Sequence, residues 1–208
     1  MTKVIIFDFD GTLADSIDVL LSITNRLSAE FDFKSATREE LAQLSNLTAW
    51  QILKYSGISI FKFPLLVRKM KAELRIEIPN IQLFSGIKEV LLELNNRGFQ
   101  LGIITSNSRD NVLASMEKNG LQGIFTFIYS SSTFGKHKVI QRWLNRENLN
   151  PEEVVYVGDE IRDIEAAKIT GIKMIAVAWG FNSRQALAEH NPDCLIETPQ
   201  ELIEVINL

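Results

Sequence analysis

From residue 81 onward, short apolar runs alternate with amphipathic stretches, and few folds accommodate that pattern. Ile87, Val90, Leu91 and Leu94 fall on one helical face of the segment 85–96, which stops at Gly98. Leu101-Gly102-Ile103-Ile104 reads as the centre of a buried strand over 100–105. A helix is expected around 109–119, ended by Gly120, then a strand over 125–129 and a helix carrying Val139, Ile140, Trp143 and Leu144. Further on, 154–157 reads as a strand, 161–170 as a helix closed by Gly171, and 172–177 as another strand. Leu195-Ile196 adds a short strand beside Cys194, which is expected in the core. Thr198-Pro199-Gln200-Glu201 reads as a capping box with proline at the first helical position. Apolar strands separated by helices do not pair through tight hairpins; they pair in parallel through helical crossovers. The expected fold class is therefore α/β, a parallel sheet with helices on both faces.

The segment 15–78 interrupts this alternation and reads as helical throughout. Ile17, Leu20, Leu21, Thr24 and Leu27 form one stripe, Thr37-Arg38-Glu39-Glu40 a capping box, and 49–55 and 65–76 two further helices. The economical division is an α/β domain over 1–14 and 79–208 with an all-helical insertion over 15–78, Pro79 marking the return. Trp50 and Trp143 fit apolar helical stripes, so both are expected in the core. Arg68, Lys69, Lys71 and Arg75 share a helix face that reads as solvated, the alternative being a mildly positive cap that attracts anionic substrates to the acidic site.

Val4-Ile5-Ile6 runs directly into Phe7-Asp8-Phe9-Asp10-Gly11-Thr12. Side chains alternate along a strand, so Asp8 and Asp10 would share a face if the strand continued, while Gly11 permits a sharp turn. Two carboxylates this close repel unless a cation or a shared proton compensates. In open parallel sheets ligands bind beyond the carboxyl ends of the strands. Asp8/Asp10, Thr105-Ser106-Asn107 and Gly158-Asp159 all stand at such ends, with Asp163 one helical turn further on. If those strands are neighbours, the clusters converge. An all-oxygen set of carboxylates suits Mg²⁺. Glu160 and Arg162 read as bystanders on the same loop, and His137 and His190 as surface or structural residues.

These residues resemble the haloacid dehalogenase superfamily, on its branch of small phosphatases with an inserted helical cap, such as phosphoglycolate phosphatases. Asp8-Phe9-Asp10-Gly11-Thr12 matches the first motif, Ile103-Ile104-Thr105 the hydroxyl-ended strand, Gly135-Lys136 the lysine motif, and Gly158-Asp159 with Asp163 the acidic motif. The motifs run in family order across nearly the whole chain. The resemblance implies a Rossmann-like core and covalent phosphoryl transfer. Asp8 would be the nucleophile and Asp10 the general acid and base. Thr105, Ser106 and Lys136 would hold phosphate, and Asp8, the Asp10 backbone carbonyl, Asp159 and Asp163 would hold Mg²⁺. Lys138 is the alternative lysine; Lys136 is preferred because it directly follows Gly135. Asp163 has the alternative of capping its own helix.

The expected function is hydrolysis of a small phosphate ester by a monomer or weak homodimer. The nearest rivals are a phosphomutase of the β-phosphoglucomutase type and a silent scaffold of the same fold. Dehalogenases of the family lack the second acid, and no cap lysine for a phosphonatase is identifiable. The net charge of −4 argues against a nucleic-acid partner. No apolar run approaches the ~20 residues that span a membrane. The single cysteine and the strand begun within three residues of the N-terminus lead to the expectation of a cytoplasmic protein.

Overall fold

The computed structural model describes residues 2–206, with the backbone alone for Arg38, Glu39 and Ala42. Among these residues, β1 (Val4–Phe7) leads into four helices, α1 (Ile17–Phe31), α2 (Arg38–Leu44), α3 (Ala49–Ser56) and α4 (Phe63–Glu77). After a 3-10 turn at Ile78–Asn80 come α5 (Ile87–Asn96), β2 (Gln100–Thr105), α6 (Arg109–Lys118), β3 (Phe125–Ser130) and α7 (Lys136–Glu147). The chain continues through β4 (Val154–Gly158), α8 (Ile161–Thr170), β5 (Lys173–Val177), α9 (Arg184–Glu189), β6 (Cys194–Ile196) and α10 (Glu201–Val205).

The strands pair in parallel in the order β3-β2-β1-β4-β5-β6. β1 lies at the centre with β2 on one side and β4 on the other, so the three polar strand ends do converge. All four residues of β1 and all five of β4 are buried, as a sheet covered on both faces requires. The two-residue period sorts the core. Ile5, Phe7, Leu101, Ile103, Val155 and Val157 point to one layer, with α5, α6 and α10. Val4, Ile6, Ile104, Val154 and Tyr156 point to the other, with α7, α8 and α9.

Local chemistry accounts for most element ends. α8 stops where Gly171 turns left-handed, and Thr37/Glu40 and Thr48/Gln51 close reciprocal capping boxes on α2 and α3. The box expected at Thr198 is half formed. Its backbone N–H donates to Glu201 Oε1 at 2.8 Å, but its hydroxyl donates to the same oxygen instead of accepting a backbone N–H. α9 is too short for periodicity to announce; Ser183 Oγ caps it by accepting from the Ala186 N–H at 3.2 Å.

Two expectations about the four helices after β1 need correction. Trp50 is half exposed, not buried in a core: it stacks on Phe134 with ring centroids 4.5 Å apart, joining α3 to the loop before α7. The basic face of α4 is also not uniformly solvated. Arg68 and Arg75 are exposed and Lys69 pairs with Glu30, but Lys71 is half buried and lines the cavity above the sheet edge. Trp143 is buried as expected, and Cys194 is half buried against the core. Asn182 ties the α2–α3 connection to the core by donating to Ser45 O at 2.7 Å and Leu47 O at 3.2 Å. No helix among the described residues is long and apolar enough to cross a membrane.

Candidate active site

Asp8 continues β1 by one residue, its N–H donating to Val157 O at 2.9 Å. Its side chain is almost wholly buried; one oxygen accepts from the Phe9 N–H at 2.7 Å and the other from Lys136 Nζ. The chain then folds back so tightly that Phe9 O accepts from both Leu13 and Ala14 N–H at 2.9 Å. Gly11 makes this turn possible at φ +78°, and a Cβ there would lie 2.2 Å from Asp159 Oδ2. Gly11→Ala should therefore combine a strained backbone with a clash against a buried carboxylate. It is expected to lower stability by about 1–3 kcal/mol, measured by denaturant unfolding.

The tight turn aims Asp10 to the front of the sheet edge. Ser16 Oγ donates to Asp10 Oδ1 at 2.8 Å and Asn107 Nδ2 to Asp10 Oδ2 at 2.9 Å. Ser16 occupies the N-cap of α1, yet its side chain makes no capping bond; its hydroxyl serves Asp10 instead. Loss of water around Asp10 outweighs these two hydrogen bonds, and with the nearby Asp8 charge it lifts the Asp10 carboxyl to about 6.

Behind them lies a buried group of acids. Asp8, Asp159 and Asp163 each offer an oxygen, and these lie within 4.8 Å of one another. Asp159 accepts from Thr12 Oγ1 at 2.6 Å and from the Phe181 N–H at 2.7 Å. Burial, then the charges of Glu160, Asp8 and Asp163, hold its carboxyl well above the usual carboxylate range. Asp163 accepts from Lys136 Nζ at 2.5 Å and, through its other oxygen, from the Glu160 N–H at 3.2 Å. It thus joins the cluster and caps its own helix. Burial raises its carboxyl to about 6 despite Lys136.

Lys136 sits at the start of α7 and is buried among these acids. Burial opposes its charge, but the facing Asp163 and Asp8 carboxylates outweigh that and raise its pKa. The Tyr156 ring lies 5.4 Å from its Nζ. Lys138 is exposed and lies beside His137 and Gln141, away from the acids. Thr105 is buried at the end of β2, its Oγ1 accepting from the Asn107 N–H at 3.0 Å. Ser106 lines the same cavity, its Oγ 3.5 Å from Arg162 Nη2.

The expected site residues Asp8, Asp10, Thr105, Ser106, Lys136, Asp159 and Asp163 therefore meet in one place, with Asn107 of the same strand end beside them. Several others belong with them. Arg162, read as a bystander, is mostly buried, pairs with Glu160 and donates to Thr133 O at 3.1 Å. Asn107 is held in turn by Asn111 Nδ2, which donates to its Oδ1 at 2.9 Å. Ser16, Tyr156 and Lys71 carried no motif signal at all.

The comparisons with known proteins agree with this geometry. Residues 5–177 match the family model for haloacid dehalogenase-like hydrolases. The chain is 36% identical over 205 residues to a phosphoglycolate phosphatase from Synechococcus elongatus, covering 98% of this chain and 97% of that protein. It is 26% identical over 219 residues to the pyrophosphatase PpaX of Bacillus pumilus, covering 97% and 95%. A solved haloacid dehalogenase-like family hydrolase from Streptococcus pneumoniae superposes with a TM-score of 0.82 at 25% identity, covering 99% of this chain and 98% of that one.

Proposed function

Because this chain belongs to the haloacid dehalogenase-like hydrolases, we propose that it is a cytoplasmic, Mg²⁺-dependent phosphatase that hydrolyses a small organic phosphomonoester through an aspartyl-phosphate on Asp8. Residues 1–14 and 79–208 form its catalytic core and 15–78 its cap, and it works as a monomer or weak homodimer. The observation that carries the reading is the division of labour between two acids two residues apart. Asp8 is buried against Lys136, whereas Asp10 is held forward by Ser16 and Asn107 with its carboxyl near 6.

In the first half-reaction an Asp8 oxygen bonds to phosphorus as the ester oxygen leaves, and the Asp10 carboxyl gives that oxygen its proton. In the second, the Asp10 carboxylate takes a proton from water, whose oxygen attacks phosphorus and breaks the bond to Asp8. Phosphate leaves and both acids are restored. Thr105, Ser106 and Lys136 hold the phosphate oxygens, and Lys136 offsets the repulsion between an anionic nucleophile and an anionic substrate.

The acids also fit a divalent cation. Asp8, Asp159 and Asp163 converge with oxygen donors only, and among the described residues Asp159 has hydroxyl and amide donors but no ion pair. Asp8, Asp159, Asp163 and the Asp10 carbonyl would hold Mg²⁺. When bound, the ion supplies charge neutralisation for the phosphoryl group in the transition state.

The purified protein is expected to release phosphate from p-nitrophenyl phosphate with Mg²⁺ and to stop on adding EDTA. Inertness toward this ester and a broad panel of phosphomonoesters would overturn the reading. A companion measurement uses the raised acids. In metal-free protein, Asp10 and Asp163 near 6 lie above their unfolded value of about 4. Between those values the folded state binds more protons than the unfolded one, so stability falls as pH rises through that window. Mg²⁺ should therefore raise Tm clearly at about pH 7.5 and much less at about pH 5, where protons already neutralise the cluster. Equal shifts at both pH values would count against metal binding by these acids.

A further inference from the structure

The apolar stripes of the four helices after β1 do not fill the space between them. Leu20 and Leu21 of α1, Ile52 of α3, and Val67 and Met70 of α4 line one cavity of about 360 Å³, the same cavity that Asp10 and Asp159 line. That volume lies in the range that encloses a whole small-molecule ligand. The cavity is partly open to solvent and its walls are mostly apolar, so an apolar group that enters it removes both surfaces from water.

Among the described residues three cations line this cavity, and two of them are committed. Lys34 is held by Glu40 at 2.5 Å and by Tyr55 Oη at 3.1 Å, and Arg162 by Glu160. Lys71 is the lining cation without an ion pair among the described residues, and it interacts electrostatically with Asp10, at the phosphate end. No other uncommitted cation lines the cavity, among the described residues, to neutralise a second anionic group on the substrate. Building on the phosphatase reading, we infer that the physiological substrate is the phosphomonoester of an apolar alcohol. Its uncharged alkyl or aryl group occupies the cavity between the cap helices.

The test measures kcat/KM for phosphate release from n-alkyl phosphates, methyl to hexyl, beside phosphoglycolate and pyrophosphate. In parallel, calorimetry measures the affinity of the matching n-alkylphosphonates, which cannot be hydrolysed. Both quantities should rise about fourfold for each buried methylene until the cavity is filled. Leu21→Gln and, on a different helix, Ile52→Gln should flatten both slopes. A flat series, or phosphoglycolate or pyrophosphate as the best substrate, would overturn the apolar class while leaving the phosphatase reading intact. Phosphonates that bind more tightly with length, with no ester hydrolysed, would uphold the ligand class and remove the hydrolytic reading.

Discussion

Asp8→Asn protein is expected to fold as the wild type does and to turn over at least about 10⁴-fold more slowly, the scale seen when a nucleophile that forms a covalent intermediate is removed. The amide keeps the shape of the carboxylate, so the Phe9 N–H retains an acceptor at the end of β1. It is too weak a nucleophile to displace the ester oxygen. Removing one of three clustered acids also relieves repulsion, which limits any loss of stability even though Lys136 loses one of its two carboxylate partners among the described residues. Phosphate release and thermal unfolding, measured on the same preparation, check this. Retained turnover in a folded Asp8→Asn protein would exclude Asp8 as the nucleophile.

Lys136→Met should have the largest effect on stability. The substitution keeps most of the side-chain volume but removes the cation buried between Asp8 and Asp163. Breaking a buried ion pair from one side is costly, about 3–5 kcal/mol, because the remaining charge has neither water nor a partner. The loss should depend on pH in a defined sense. Without the ammonium, the Asp163 carboxyl rises further above its unfolded value, so the folded state holds still more of the protons. The deficit is then greatest above about pH 7 and shrinks as pH falls toward about 5. Catalysis should fail as well, since the phosphate loses its buried cation. Lys138→Met is the control: that side chain is exposed, and its loss should change stability by no more than about 0.5 kcal/mol. Denaturation at two pH values distinguishes the two lysines, and equal effects would contradict the assignment of Lys136.

The clusters at Asp8, Thr105 and Asp159 were legible because each follows an apolar run short enough to be a buried strand. Alternation then places them at the carboxyl edge. Lys136 was legible through its place at a helix start. Other members carry no such mark. Arg162 adjoins Asp163 in sequence, but its contact with Ser106 spans 56 residues of chain. Ser16 looks like an ordinary N-cap serine; only the fold of the Gly11 turn brings Asp10 within its reach. Trp50 satisfies a helical stripe as well as Trp143 does. One stacks at the contact between α3 and the core while the other is buried.

The sequence by itself determined the order of the strands and of every helix but α9, the faces that share a period and the strand ends that carry acids. These follow from local geometry, from the two-residue alternation of a strand and the 3.6-residue turn of a helix. Only the tertiary structure decided that β2, β1 and β4 are neighbours, that Asp10 is lifted to about 6, and that the stripes on α1, α3 and α4 line a cavity. A period tells which residues look the same way. What they look at is set by packing between segments far apart in the chain, and so are the loss of water and the crowding of charge that raise these acids.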